Sequence, residues 1–185
     1  SFDRQIDCLR DVGVVLGNEN YHLWTMKNGY ALATAAGLES ITQHLNSISE
    51  DERDEIRSAL RIGLQVDTEV TIGNSRHSVA QAYCSAMPVA YSQHSSKLWA
   101  GIAGLILEAA YEATLCAGVI NATTTGNHQV FLTLLGGGAF GNDDDWILGG
   151  VARALDLFRD TDLSVSVVSF GRSNSHVASL ANRYQ

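Results

Sequence analysis

Hydrophobic and polar residues follow several different periods along the chain, and these periods predict strands that alternate with helices. Runs of β-branched or alternating apolar residues predict strands at residues 12–16, 66–72, 79–89, 129–135 and 163–170. Apolar residues that recur every three or four positions predict helices at residues 29–45, 98–117 and 143–158, with a last helix from His176. Ser49 and Glu52 have the spacing of a capping box, which predicts a charged helix to about Leu64 whose charges are solvated.

This order of elements predicts the fold class. Alternating strands and helices are typical of α/β proteins. The strand at 129–135 is apolar almost without a break, which is the pattern of a strand buried on both faces of a parallel sheet. We therefore expect a three-layer α/β/α sandwich with a mixed, mostly parallel central sheet. A length of 185 residues, 45% of them hydrophobic, fits one domain over residues 1–185, which we expect to be a monomer.

The net charge, the longest apolar stretch and the cysteine spacing limit the kinds of partner and metal site that we expect. The net charge of −8 argues against nucleic acid, because neutralising many phosphates requires clustered Lys and Arg. The longest apolar stretch, residues 98–110, contains Glu108 and is shorter than the roughly 20 residues of a membrane-spanning helix, so no membrane contact is expected. The three cysteines lack CxxC spacing, which predicts no metal or disulfide, no cofactor, and an intracellular, cytoplasmic protein.

A glycine-rich loop separates the apolar strand from the helix at 143–158, and it consists of Gly136, Gly137, Gly138, Ala139, Phe140, Gly141 and Asn142. Open α/β sheets bind ligands at the carboxyl ends of their strands. Successive backbone N–H groups that are not shielded by side chains can converge on a phosphate without any Lys or Arg. An acidic chain can therefore still bind a small phosphate ligand.

The same glycines permit a second interpretation. Gly136, Gly138 and Gly141 match the GxGxxG fingerprint of dinucleotide-binding domains, and Arg172 after the next strand could meet the 2′-phosphate of NADP. Only about 45 residues follow the motif, however, and a complete domain of that kind needs more strands. The acids that begin at Asp143 would also face the phosphates. An NADP-binding oxidoreductase domain thus stays an alternative.

Four segments resemble the macrodomain family, whose members bind ADP-ribose. Residues 82–90 are similar to the strand that precedes the family's long helix, 105–119 to that helix, 130–141 to the strand and diphosphate loop, and 165–170 to the closing strand. Residues 14–20 are similar to the family's strand that ends in an asparagine at the distal ribose. Residues 25–30 depart from the family, because they replace the glycine run and aspartate that are common in hydrolytic macrodomains.

The resemblance implies a set of binding roles. The loop from Gly136 to Asn142 would surround the diphosphate, with Phe140 covering it. Phe170 would stack on adenine, and Asn174 would contact adenine or phosphate. Asp7 lies near the position of the family's adenine-binding aspartate, and Asn20 would orient the distal ribose or its attacking water.

The resemblance also suggests a reaction. Three glycines followed by acids resemble relatives among bacterial effectors and their eukaryotic cousins, some of which remove ADP-ribose from arginine, including on ubiquitin. Such an effector would act in the cytosol of a host cell. Hydrolysis at the distal ribose requires a base or an electrostatic stabiliser, and the candidates are Glu19, Asp143 and Asp144. We favour Asp143, although one of the three consecutive aspartates at 143–145 is expected to cap the helix that follows. A reader that binds ADP-ribose or an ADP-ribosylated protein without cleavage is the other possibility.

Overall fold

The structure, a computed structural model, describes residues 6–73, 76–169, 171 and 174–184. The helices are α1 Arg10–Val15, α2 Ala35–Ser47, α3 Glu50–Ser58, α4 Ser96–Thr125, α5 Asp144–Leu157 and α6 Ser175–Ala181. The strands are β1 Trp24–Lys27, β2 Tyr30–Ala33, β3 Gly63–Glu69, β4 Ser78–Tyr83, β5 Gln129–Thr133 and β6 Ser164–Val168. The chain is a mixed α/β protein with 47% helix and 18% strand.

The strands of the described residues pair two by two. Strands β1 and β2 are antiparallel, as are β3 and β4, whereas β5 and β6 are parallel. The α/β class is confirmed, and the three-layer sandwich with one mostly parallel sheet is not. Strand β5 is not buried on both faces, because Leu132 is buried while Phe131 is 65% exposed. An apolar run predicts full burial only where helices cover both faces of the sheet.

The strand predicted at residues 12–16 is wrong, because this segment forms helix α1. Val12 is fully buried, whereas Val14 and Val15 are about half exposed. Leu9, Val12 and Leu16 are spaced by three and four residues, which places them on one face of a helix against the core. Burial of that face outweighs the weak preference of valine for strands.

The helix predicted from residue 29 begins later, because a hairpin comes first. Asn28 and Gly29 both have positive φ, 52° and 82°, as the two-residue turn between right-twisted strands requires. Helix α2 then begins after Thr34, whose side chain accepts a hydrogen bond from the N–H of Gly37 at 2.9 Å. A Cβ on Gly37 would lie 2.3 Å from the carbonyl oxygen of Leu23, so glycine permits a close approach of two backbones.

Helix α3 begins with the predicted capping box, but its charges are not all solvated. Both reciprocal hydrogen bonds between Ser49 and Glu52 are present, although the helix ends at Ser58 rather than near Leu64. The side chain of Arg57 is only 5% exposed and pairs with three carboxylates, at 2.7 Å to Glu50, 2.6 Å to Asp54 and 2.8 Å to Glu108. The guanidinium therefore joins α3 to α4 within the fold.

Helix α4 is the shared support of two apolar clusters. Its first half, with Trp99 and Ile106, packs with α1, α2 and the β1–β2 hairpin. Its second half, with Tyr111 and Leu115, packs with β5, α5 and α6. By length and composition alone α4 could cross a membrane, but half of its most apolar window is buried inside the protein. The helix thus positions β5, and the loop after it, relative to the rest of the chain.

Candidate functional site

The glycine loop leaves the carboxyl end of β5, beside its parallel partner β6, and ends at the first turn of α5. Gly136 and Gly141 have φ values of +77° and +67°, a left-handed conformation that side chains rarely adopt. A Cβ at Gly136 would lie 2.4 Å from the Cβ of Ala86, and one at Gly141 would lie 2.8 Å from the Cβ of Ala90. The loop is therefore held against the segment that precedes α4, and these two glycines make that approach possible.

Asn142 closes the base of the loop. It is 5% exposed, and its backbone N–H donates to the carbonyl of Gly136 at 3.0 Å. Its side-chain Nδ2 donates to the carbonyl of Met87 at 2.8 Å and to that of Gly136 at 3.3 Å. The amide nitrogen thus fastens both ends of the loop to the segment before α4, while the buried Oδ1 accepts no hydrogen bond from the described residues.

Three successive N–H groups at the tip of the loop remain available. The N–H of Gly137 donates to Leu134, and that of Gly141 donates to Gly138. Within the described part of the chain the N–H groups of Gly138, Ala139 and Phe140 donate no hydrogen bond to the protein. Gly138 and Ala139 are exposed and Phe140 is half-buried. Adjacent unpaired N–H groups carry partial positive charge and could donate hydrogen bonds to one anion.

An aromatic cluster lies beside the loop. The ring centroid of Phe140 is 6.0 Å from that of Tyr30 on β2 and 5.5 Å from that of Tyr91, and the two tyrosine rings are 5.0 Å apart. All three pairs meet edge to face, an arrangement that favours the interaction of aromatic quadrupoles. Desolvation raises the pKa of Tyr91. The cluster holds the side chain of Phe140 in place and supplies an aromatic wall next to the free N–H groups.

A buried tyrosine fixes the chain where it enters the loop. Tyr111 of α4 is 3% exposed, and its hydroxyl donates to the carbonyl of Thr133 at 2.8 Å and accepts from the N–H of Leu135 at 2.9 Å. Burial raises the pKa of this phenol to about 12, the hydrogen bond from Leu135 lowers it, and the neighbouring Cys84 raises it.

Tyr111 is therefore expected to ionise near pH 12 rather than near pH 10. Below pH 10 the neutral buried phenol contributes its full stabilisation. As the pH rises toward 12 this contribution is lost, because the phenol ionises more readily in the unfolded chain. Tyrosinate absorbance measured against pH should show a late component that Tyr111→Phe lacks. Ionisation of all six tyrosines near pH 10 in the folded protein would contradict this.

The aspartates after the loop lie at the start of α5. Asp143 is the N-cap, and its Oδ1 accepts the N–H of Asp145 at 2.9 Å. The predicted cap is therefore Asp143 itself, and the helix predicted from residue 143 begins at Asp144. All three carboxylates are exposed. They place negative charge beside the free N–H groups, where a cationic group of a substrate could be received.

Among the described residues, no hydrogen bond joins the other predicted site residues to the loop. Glu19 and Asn20 are exposed in a turn after α1. That turn adjoins the open end of the hairpin, where Trp24 pairs with Ala33, roughly 10 Å along the strands from Tyr30. The catalytic roles given to Glu19 and Asn20 stay predictions.

Two further residues that were predicted to bind ADP-ribose have local structural roles. Asp7 accepts the N–H of Leu9 at 2.9 Å ahead of α1, and Asn174 caps α6 by accepting the N–H of His176 at 2.8 Å. Phe170 and Arg172 lie outside the described residues. The assignments of Asp7 and Asn174 to ADP-ribose stay predictions.

Sequence reasoning missed several residues around the site. The Asn28-Gly29 pair signals a tight hairpin turn and would have placed Tyr30 on a strand. Asn18 rather than Asn20 is the buried asparagine of its turn, with Oδ1 accepting the N–H of Leu23 at 2.8 Å. Tyr111 carried no signal, because its partners are backbone atoms more than 20 positions away.

No protein-family model matches the chain, and neither the search of curated proteins nor that of solved structures gives a match.

Proposed function

We propose that this protein binds ADP-ribose through the glycine loop and that it is a hydrolase that removes ADP-ribose from modified protein side chains. The observation that carries the proposal is the group of three adjacent free N–H groups, Gly138 to Phe140, at the end of a parallel strand. The resemblance of the chain to macrodomains supports the choice of ligand. The macrodomain architecture, a three-layer sandwich around one mostly parallel sheet, is part of the same proposal.

The loop suits a diphosphate rather than a long polyanion. Its N–H groups can satisfy a few phosphate oxygens, and no Lys or Arg lies between residues 128 and 152. The net charge of −8 would repel an extended phosphate backbone, whereas one diphosphate buried against N–H groups experiences mainly their local field. The loop thus favours a small nucleotide-like ligand.

The aromatic cluster suits the sugar that adjoins the diphosphate. Phe140 lies in the loop itself and is supported by Tyr30 and Tyr91, so its position does not depend on the ligand. A preorganised apolar surface costs little conformational entropy on binding and excludes water from one side of the phosphates. Phe140 therefore has the support that its predicted covering role requires.

The acids at the start of α5 suit the reaction. When water adds to the anomeric carbon and the bond to the side-chain nitrogen breaks, positive charge develops on the ribose and the nitrogen leaves as a protonated guanidine. A nearby carboxylate stabilises that charge or accepts a proton from the water. Asp143 is exposed and directly follows the loop, which supports our preference for it over Asp144.

One observation favours the second candidate, a reader that binds ADP-ribose without cleavage. Oδ1 of Asp143 is already engaged by the N–H of Asp145. A carboxylate that caps a helix is held in place by the backbone N–H that it accepts. If capping is the whole role of Asp143, the loop retains its ligand site and the reaction is lost.

The two candidates are separated by an assay with an arginine-ADP-ribosylated protein. Asp143→Asn keeps a good N-cap but removes the charge, and Asp145→Asn is the matched control in the same turn. We expect the wild type and Asp145→Asn to release ADP-ribose, with release by Asp143→Asn about 100-fold slower.

Each other outcome has a distinct meaning. Undiminished release by Asp143→Asn would contradict the role of that carboxylate. Binding of ADP-ribose by the wild type without release would identify the reader. A wild type that binds NADPH in calorimetry but not ADP-ribose would contradict both candidates.

A further inference from the structure

We propose that Tyr111 is a positioning residue for the glycine loop, and that its hydroxyl sets the path of the chain from β5 into the segment that carries the three free N–H groups. This inference rests on the proposed binding of a diphosphate. Tyr111 is not a catalytic residue, because its side chain is enclosed by the protein and cannot touch the ligand. It acts through the backbone of residues 133–135.

The hydroxyl of Tyr111 joins the two ends of the turn that leads into the loop. Thr133 is the last residue of β5, and Leu135 directly precedes Gly136. The N–H of Leu135 also donates to the carbonyl of Thr133 at 2.9 Å, so the turn closes around the phenol oxygen. This is the only side chain in the described residues that hydrogen-bonds to the turn.

The loop is therefore fastened on both sides of its free N–H groups. On the strand side the phenol of Tyr111 holds residues 133 and 135, and on the helix side the amide of Asn142 holds Gly136 and Met87. Between these anchors the N–H groups from Gly138 to Phe140 have no protein acceptor in the described chain. A binding geometry that depends on backbone donors requires rigid supports, because an error of about 1 Å separates a good site from a loose one.

The ring of Tyr111 is itself held firmly. A Cβ on Gly150 of α5 would lie 3.1 Å from Cδ2 of the ring and 3.1 Å from the backbone nitrogen of Glu108. Helices α4 and α5 thus meet closely at this point, and the ring of Tyr111 packs against Gly150 where they cross. Through Tyr111 the crossing of the two helices determines where the loop begins.

The test compares Tyr111→Phe with Tyr184→Phe. Both variants retain the aromatic ring and remove a hydroxyl that donates to a backbone carbonyl, since Tyr184 contacts the carbonyl of Ala152 at 3.1 Å away from the loop. We expect Tyr111→Phe to weaken ADP-ribose binding by about tenfold or more, and Tyr184→Phe to leave it unchanged. Only Tyr111→Phe should shift the amide NMR resonances of residues 136–140 in the absence of ligand.

The outcomes distinguish the two proposals. No binding by the wild type would overturn the proposed function and this role with it. Binding by the wild type with equal affinity in Tyr111→Phe, or an equal loss in both variants, would overturn the positioning role alone. If Tyr111→Phe does not fold, hydrogen exchange in the wild type can still overturn the proposal, because exchange of the Leu135 N–H as fast as that of Gly138 would show that the phenol does not hold the turn.

Discussion

Replacing Gly136 by alanine is expected to abolish the proposed ADP-ribose binding and to lower the free energy of unfolding by about 3 kcal/mol. Its φ of +77° is strained for alanine, and the new Cβ would overlap the Cβ of Ala86 and lie 2.7 Å from Nδ2 of Asn142. The asparagine would have to leave the carbonyl of Met87, and the loop would lose its anchor. Urea unfolding and calorimetric titration of the same preparation measure both effects.

Gly138→Ala is the matched control, because it makes the same change in the same loop. Gly138 does not have positive φ, and a Cβ there would meet no atom within 4 Å. The free energy of unfolding should therefore stay within about 0.5 kcal/mol of the wild type. ADP-ribose affinity should still fall, since the methyl group would occupy the space through which the phosphate approaches the N–H groups. A Gly136→Ala protein with normal stability and affinity would contradict the anchoring described above.

Replacing Arg57 by methionine is expected to lower the free energy of unfolding by about 3 to 5 kcal/mol. The side chain is 5% exposed, and methionine fills a similar volume without replacing the charge. Glu108 would lose its guanidinium partner at 2.8 Å, and a partly buried carboxylate would remain. Arg153 contacts Glu50 and Asp54 but does not replace this contact. Chemical denaturation at neutral pH measures the loss.

Arg61→Met is the control for the loss of a positive charge, because Arg61 lies shortly after the end of α3. Arg61 is 69% exposed and pairs only with Asp11 among the described residues, at 2.8 Å. An exposed ion pair contributes little because both groups remain hydrated, so the expected change is under about 1 kcal/mol. Equal effects of the two substitutions would show that the burial of Arg57 has no energetic consequence. The proposed ADP-ribose site should be intact in both variants, because neither arginine touches the loop.

Local patterns predicted the parts of the fold that depend on local interactions. The capping box of Ser49 and Glu52, the strand at β5 and the helix α5 follow from neighbouring residues, and all three are confirmed. Helix α1 was missed because valines favour strands, while the spacing of Leu9, Val12 and Leu16 favours a helix that becomes stable only against the core. Where residue preference and apolar spacing predict different elements, burial in the tertiary structure determines which element forms.

The candidate site, too, could be predicted from the sequence only where local residues determine it. The glycine loop could be located because its composition alone permits the required backbone conformation. The aromatic residues around the loop could not be located in this way, since Tyr30 and Tyr91 contact Phe140 from positions more than 45 residues away in the sequence. The ion pair of Arg57 with Glu108 spans 51 residues and had no sequence signal. Contacts of this kind become visible only when the packing of α3, α4 and α5 is known.

The most direct test of the proposed site is an amide NMR titration of the isotope-labelled protein with ADP-ribose. We predict saturable shifts that are largest at the N–H groups of Gly138, Ala139 and Phe140, with the aromatic protons of Tyr91 following at the same ligand concentration. Pyrophosphate should shift the same three amides more weakly, because it offers the anion without the sugars. Binding of ADP-ribose that leaves these three resonances in place, or no binding at all, would contradict the assignment of the glycine loop as the diphosphate site.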